Sequence, residues 1–128
     1  MKIVLAATSA FALPTFALLR RHHTIAAVIT NPDSPSGRGK RLRSSPIKKE
    51  AQKYGLAVYD APINELADTI RAMEPDLLIV VAYGAIISGE ILAIPTAGAL
   101  NIHPSLLPHY RGASPIQAVI LNGDTETG

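Results

Sequence analysis

Leu77-Leu78-Ile79-Val80-Val81-Ala82 is the longest uninterrupted apolar run inside the chain. It falls far short of the roughly 20 residues a membrane-spanning helix needs, and a short apolar run bounded by turn residues suits a strand buried on both faces. Similar runs at 3–6, 24–30 and 98–102, with a short one near 57–59, predict further strands. Helical spacing fills the intervals at 11–21, 46–54, 64–73 and 115–121, with Ser45, Asn64 and Ser114 as candidate N-caps. Strands alternating with helices pair in parallel through right-handed crossovers. The expected fold is therefore α/β: a Rossmann-like, open, mainly parallel sheet with helices on both faces.

The composition agrees with a packed domain. In 128 residues, 48% are hydrophobic and 17% charged, with 9 Gly and 10 Pro, which fits neither a disordered nor a collagen-like chain. With no cysteine, a disulfide framework, a thiol nucleophile and a Cys-ligated zinc site are excluded. Lys2 and the apolar stretch after it share features with a secretory leader. A single base precedes the stretch, however, and Pro14 interrupts it, so the segment reads as a strand, a turn and a helix.

The net charge of +2 conceals an uneven distribution. Arg38, Lys40, Arg41, Arg43, Lys48 and Lys49 lie together with no acid between Ser34 and Lys49, leaving six bases against ten acids elsewhere. Such a patch favours a phosphate-bearing partner, although a charged loop can also serve solubility alone. Asn31-Pro32-Asp33-Ser34-Pro35-Ser36-Gly37-Arg38-Gly39 is dense in turn formers and predicts a long mobile loop.

Ligands of open α/β sheets gather beyond the carboxyl ends of the strands. After the first strand, Ala6-Ala7-Thr8-Ser9-Ala10-Phe11 lacks the glycines of a dinucleotide fingerprint, and Gly37-Arg38-Gly39-Lys40-Arg41 has the wrong spacing for a phosphate loop. After the last strand runs Asn101-Ile102-His103-Pro104-Ser105-Leu106-Leu107-Pro108-His109-Tyr110-Arg111-Gly112. Asn101 and His103, two residues apart, project from one side of a strand end, while Ile102 is expected to point into the core. An amide that donates to a developing oxyanion beside an imidazole that moves a proton suits acyl transfer. The same pair also serves as an ordinary hydrogen-bonded strand terminus. Pro104 and Pro108 stiffen the loop, so Ser105, Leu106 and Leu107 could present backbone amides and two apolar side chains to a flat heterocycle. No His, Asp or Glu cluster has ligand spacing, so no metal is expected.

The stretch from Asn101 to Gly112 closely resembles the signature of the folate-dependent formyltransferases, an Asn-x-His pair running into Ser-Leu-Leu-Pro-x-Tyr-Arg-Gly. Pro32-Asp33, Gly37-Arg38-Gly39-Lys40, Leu42 and Ser45-Pro46-Ile47-Lys48 resemble the branch that acts on methionyl-tRNA. The likeness runs from Lys2 to the last residue and includes Pro115-Ile116-Gln117 and Asn122-Gly123.

The resemblance implies transfer of a formyl group from 10-formyltetrahydrofolate to the amino group of initiator methionyl-tRNA. The amine attacks the formyl carbon and builds a tetrahedral oxyanion, with Asn101 and His103 as donors and His103 also suited to proton transfer. By the same resemblance, Ser105, Leu106, Leu107 and Pro108 contact folate, and the Val81-Ala82-Tyr83-Gly84 strand end with Ile86 and Ile87 walls the pterin pocket. Arg38, Lys40, Arg41 and Arg43 grip the acceptor end of the tRNA, mostly through phosphates. A cytoplasmic enzyme, monomeric at full length and unattached to a membrane, is implied.

The chain departs from the family at Ala7, where Gly is usual, and at Ala118, where Trp is common. The family's catalytic Asp would lie past Gly128, as would the rest of the catalytic domain and a β-rich tRNA-binding domain. The expectation is a partial catalytic domain over 1–128, its sheet incomplete at the C-terminal side. Alone it should be marginally stable and catalytically inert. A formyltransferase for a small amine, a formyltetrahydrofolate hydrolase and a non-catalytic RNA-binding α/β module remain as alternatives.

Overall fold

The computed structural model describes residues 1–36 and 41–128. Along the chain lie β1 (Lys2–Ala7), a 3₁₀ turn (Ala10–Ala12) leading into α1 (Leu13–His22), β2 (Thr24–Ile29), β3 (Ser34–Ser36), β4 (Arg41–Arg43) and α2 (Pro46–Lys53). Then come β5 (Val58–Tyr59), a second 3₁₀ turn (Ile63–Glu65), α3 (Ala67–Ala72), β6 (Leu77–Val81), α4 (Gly89–Leu92), β7 (Ala99–Ile102) and α5 (Pro115–Asn122).

Five strands form one sheet in the order β5-β2-β1-β6-β7, with every pairing parallel. Ile3 to Ala7 of β1 are wholly buried because helices cover both of its faces. On one face Ile3, Leu5 and Ala7 meet Phe16 and Leu19 of α1 and Ile47 and Ala51 of α2. On the other, Val4 and Ala6 share a core with Ile63, Ile70 of α3, Leu78, Tyr83 and Ile91 of α4. The strand-and-helix alternation predicted this architecture.

Local chemistry sets the element ends. Ser9 Oγ accepts from the Phe11 N–H at 3.2 Å and opens the first 3₁₀ turn, and Pro14 is tolerated in the first turn of α1, where no N–H is required. Ser45 caps α2 as expected, accepting from the Lys48 N–H at 3.2 Å. Ser114 occupies the cap position of α5 without a side-chain cap bond.

Three expectations require correction, and one helix was not anticipated. Asn64 is not a helix cap: it sits in the second 3₁₀ turn, and its amide instead binds the Ile86 carbonyl at 3.0 Å and the Ser88 N–H at 2.9 Å. The predicted loop at 31–39 contains β3, which pairs antiparallel with β4. Both strands of a two-stranded ribbon are edges, so Pro35 is admissible there, and three-residue strands show no periodicity to read. Likewise α4 is too short for a helical signature. Finally, Ile102 does not enter a core; it is 40% exposed and its neighbour Leu100 is 60% exposed. β7 is an edge strand, and α1 and α2 do not extend over its side of the sheet.

Candidate active site

β1 leads outward on one side to β2 and β5, and the chain then crosses back to β6 and β7 on the other. The direction of winding therefore reverses between β1 and β6, the place where open α/β sheets bind ligands beyond the strands' carboxyl ends. Three post-strand segments converge there on the Tyr83 carbonyl. Thr8 Oγ1 donates to it at 2.9 Å and Asn31 Nδ2 at 2.6 Å, and the Asn31 N–H reaches Thr8 Oγ1 at 3.4 Å. One carbonyl thus fixes the exits of β1, β2 and β6. Sequence reading missed the roles of Thr8 and Asn31, although both stand just beyond strand ends, where ligand-facing polar residues are to be sought.

The exit of β6 is conformationally demanding. Ala82 has φ +45° and Gly84 φ +85°, both in the left-handed region, which glycine enters without the steric cost a Cβ imposes. Ala7, by contrast, has no positive φ, so an alanine fits this turn.

Tyr83 turns its ring into the core, where its hydroxyl accepts from the buried Ile63 N–H at 3.0 Å, and burial raises its pKa while that N–H partly opposes the rise. Its carbonyl is the acceptor that Thr8 and Asn31 share. Ile87 packs at the edge of the same core, whereas Ile86 is 90% exposed.

Asn101 pairs with Val80 and lies on the side of β7 that carries Ala99, opposite Leu100 and Ile102. Two residues further, His103 continues that side beyond the strand end. Asn101 is exposed and His103 half-buried, so both are reached from solvent. His103 Nε2 lies 3.0 Å from the Tyr110 carbonyl. A carbonyl only accepts, so Nε2 carries the hydrogen and the neutral ring offers Nδ1 as a free acceptor.

The loop after His103 is internally bonded. Ser105 is buried, its Oγ donates to the His109 carbonyl at 2.8 Å, and its N–H donates to the His103 carbonyl at 2.9 Å. The Leu107 N–H donates to the Ser105 carbonyl at 3.0 Å, and the Leu107–Pro108 peptide is cis. The amides of Ser105 and Leu107 are therefore engaged within the loop and do not face a ligand as expected. The exposed side chains of Leu106 and Leu107 are what the loop presents. Tyr110, at φ +54°, donates its hydroxyl to Asp124, which raises its pKa, and accepts from Asn122 Nδ2 at 3.0 Å.

Arg41 and Arg43 belong to β4, paired with Ser36 and Ser34; Arg38 and Lys40 lie outside the described residues. Among the described residues no group of three or more His, Cys, Asp or Glu could hold a metal, and no helix is long and apolar enough to cross a membrane. Two surface concavities lie away from Asn101 and His103. One is between α1 and α2, lined by Phe16, Arg20 and Tyr54, and the other is near the amino ends of β6 and β7, lined by Asp76 and Thr96.

A family model described as formyl transferase matches residues 1–128. A relative from Clostridium botulinum named methionyl-tRNA formyltransferase is 46% identical over the whole chain, and one of that name from Mycoplasmopsis pulmonis is 49% identical. The chain spans 43% and 45% of those two proteins, less than half of either. The crystal structure of phosphoribosylglycinamide formyltransferase from Bacillus halodurans shares the fold, with a TM-score of 0.78 at 17% identity, covering all of this chain and 69% of that one.

Proposed function

The chain belongs to the formyl transferase family over residues 1–128, and on that premise we propose that it serves formyl transfer from 10-formyltetrahydrofolate to the amino group of initiator methionyl-tRNA. The observation carrying this reading is whole-chain identity of 46–49% to relatives named methionyl-tRNA formyltransferase. Asn101, His103 and the loop from Ser105 supply the chemistry at the matching strand end.

In the proposed reaction the methionyl amine forms a bond to the formyl carbon and the bond from that carbon to the folate nitrogen breaks. The amine gives up one proton and the departing nitrogen gains one. Asn101 donates its amide N–H to the oxygen on which negative charge grows, an interaction that strengthens toward the transition state. Nδ1 of His103 receives the amine proton, and Nε2 stays anchored on the Tyr110 carbonyl. The exposed Leu106 and Leu107 side chains, with Ser105 and Pro108 shaping the loop, meet the flat face of the folate. The main chain at Tyr83 and Gly84, with Ile86 and Ile87, supports its other side.

The basic segment with Arg38, Lys40, Arg41 and Arg43 takes the phosphates of the acceptor end, binding that salt weakens. The proposal also carries a partial catalytic domain, monomeric behaviour of the longer protein and a cytoplasmic location.

The test follows amide resonances of the 128-residue chain during separate titrations with a stable folate analogue and an initiator-tRNA acceptor minihelix. The reading expects folate to shift residues 101–108 and RNA to shift residues 41–43. An analogue that shifts neither the 101–108 loop nor the Tyr83–Gly84 turn overturns the folate assignment, and RNA binding without folate binding favours a non-catalytic RNA module.

A further inference from the structure

The root of the β3–β4 hairpin is cross-linked by side chains from both of its stems. Asp33 precedes β3 and Ser44 follows β4, and Ser44 Oγ donates to Asp33 Oδ2 at 3.0 Å, which joins the two stems. A second, buried link runs beneath it, where Thr30 Oγ1 donates to Ser45 Oγ at 2.9 Å. Ser45 also caps α2, so this link ties the hairpin to the helix start.

Lys48 then connects the root to the rest of the sheet. Its Nζ lies 3.0 Å from Asp33 Oδ2 and 2.6 Å from Asp60 Oδ2. Lys48 stands in the first turn of α2 and Asp60 follows β5, so three separate elements meet at one ammonium. Its side chain is only 15% exposed, and the hydrogen bonds it donates to Asp60 and then Asp33 raise its pKa. Although it is one of six bases in the positive segment, its charge is matched by two carboxylates and is not free for an external phosphate.

We infer that Asp33, Lys48 and Asp60 are positioning residues that hold the base of the basic hairpin at the carboxyl edge of the sheet, so that a bound RNA backbone meets it in one register. This rests on the assignment of the hairpin to an RNA ligand. An unclamped hairpin would have to be ordered by the RNA itself, and ordering on binding lowers affinity. The acids at the root therefore strengthen polyanion binding through geometry while opposing it through charge.

That opposition gives a test by sign. Replacing either acid with its amide adds one positive unit beside the patch, so summed charge alone predicts tighter RNA binding. The clamp predicts weaker binding. Asp60→Asn is the first variant, because the Asp60 side chain is half exposed and its loss leaves the core intact. Binding of the acceptor minihelix to the 128-residue chain is measured by fluorescence anisotropy at several salt concentrations. Trypsin cleavage after Arg41 and Arg43 is followed without RNA, and circular-dichroism melting confirms folding.

The expected loss of affinity for Asp60→Asn is about five-fold, the factor equivalent to an ion pair of about 1 kcal/mol. Cleavage should accelerate and Asp60→Glu should restore both readouts. Equal or tighter binding by Asp60→Asn and Asp33→Asn, with unchanged cleavage, overturns the clamp, and the RNA assignment survives if Arg41→Ala with Arg43→Ala still weakens binding. If that double variant binds as the parent does, the RNA assignment fails and takes the role of the clamp with it.

Discussion

Replacing Tyr83 with Phe probes the point at which the core meets the exit of β6. The ring is buried among Val4, Ile29, Ile63 and Ile70, and phenylalanine fills the same space, so packing is retained. What disappears is the oxygen that accepts the Ile63 N–H at 3.0 Å. Ile63 is itself buried, so no water replaces the lost acceptor and the donor is orphaned. Leaving a buried donor unpaired costs about 1–3 kcal/mol, a large share of the roughly 5–15 kcal/mol by which domains are stable. With a urea slope of about 2 kcal/mol/M, a loss of about 2 kcal/mol moves the midpoint down by about 1 M at constant slope. Urea unfolding followed by circular dichroism reads this directly. A midpoint within about 0.2 M of the parent, at equal slope, would show that the Ile63 N–H finds another partner and that the Tyr83 hydroxyl is not structural. The pH dependence supplies a second check. Burial raises the pKa of the folded Tyr83 hydroxyl above its ordinary value of 10.0. Its contribution is therefore complete below that ordinary value and is lost as pH climbs through the raised one. The gap between parent and Tyr83→Phe should narrow above about pH 10.

Other substitutions test separate parts of the structure. Ser45→Ala removes both the cap on the Lys48 N–H and the acceptor of the buried Thr30 hydroxyl, and should lower stability by about 1–3 kcal/mol in urea unfolding. A loss below about 0.5 kcal/mol would show that neither bond matters. Lys48 holds the Asp60 carboxyl below the usual carboxylate range. That contribution is present above the ordinary carboxylate pKa and fades as pH falls through the lowered value, so Asp60→Asn should flatten the melting-temperature profile below about pH 4. Identical acid limbs in parent and variant would refute this coupling. Ile102→Thr, on the open side of β7, should change stability by no more than about 0.5 kcal/mol, and a core-sized loss would mean the residue is covered in solution.

The sequence by itself determined the alternation of strands and helices, because burial on one or both faces imposes a periodicity that neighbouring residues display. It also placed Asn101 and His103 on one side of a strand end, since a spacing of two is enough to fix that, and it identified Ser45 as the cap of α2. Tertiary structure decided everything that depends on residues far apart in the chain. The order β5-β2-β1-β6-β7 sets where the winding reverses, and the Tyr83 carbonyl joins Thr8 and Asn31 across 75 and 52 positions. The Tyr110 carbonyl assigns the hydrogen of His103 to Nε2, which composition and spacing leave open. Lys48 reads in sequence as one more base of a positive run, and only the fold brings Asp33 and Asp60 to its ammonium. Ile102 has an ordinary strand pattern, yet its exposure follows from β7 forming the edge of the sheet. Short-range pattern records which way a side chain turns; only the assembled sheet determines what waits for it there.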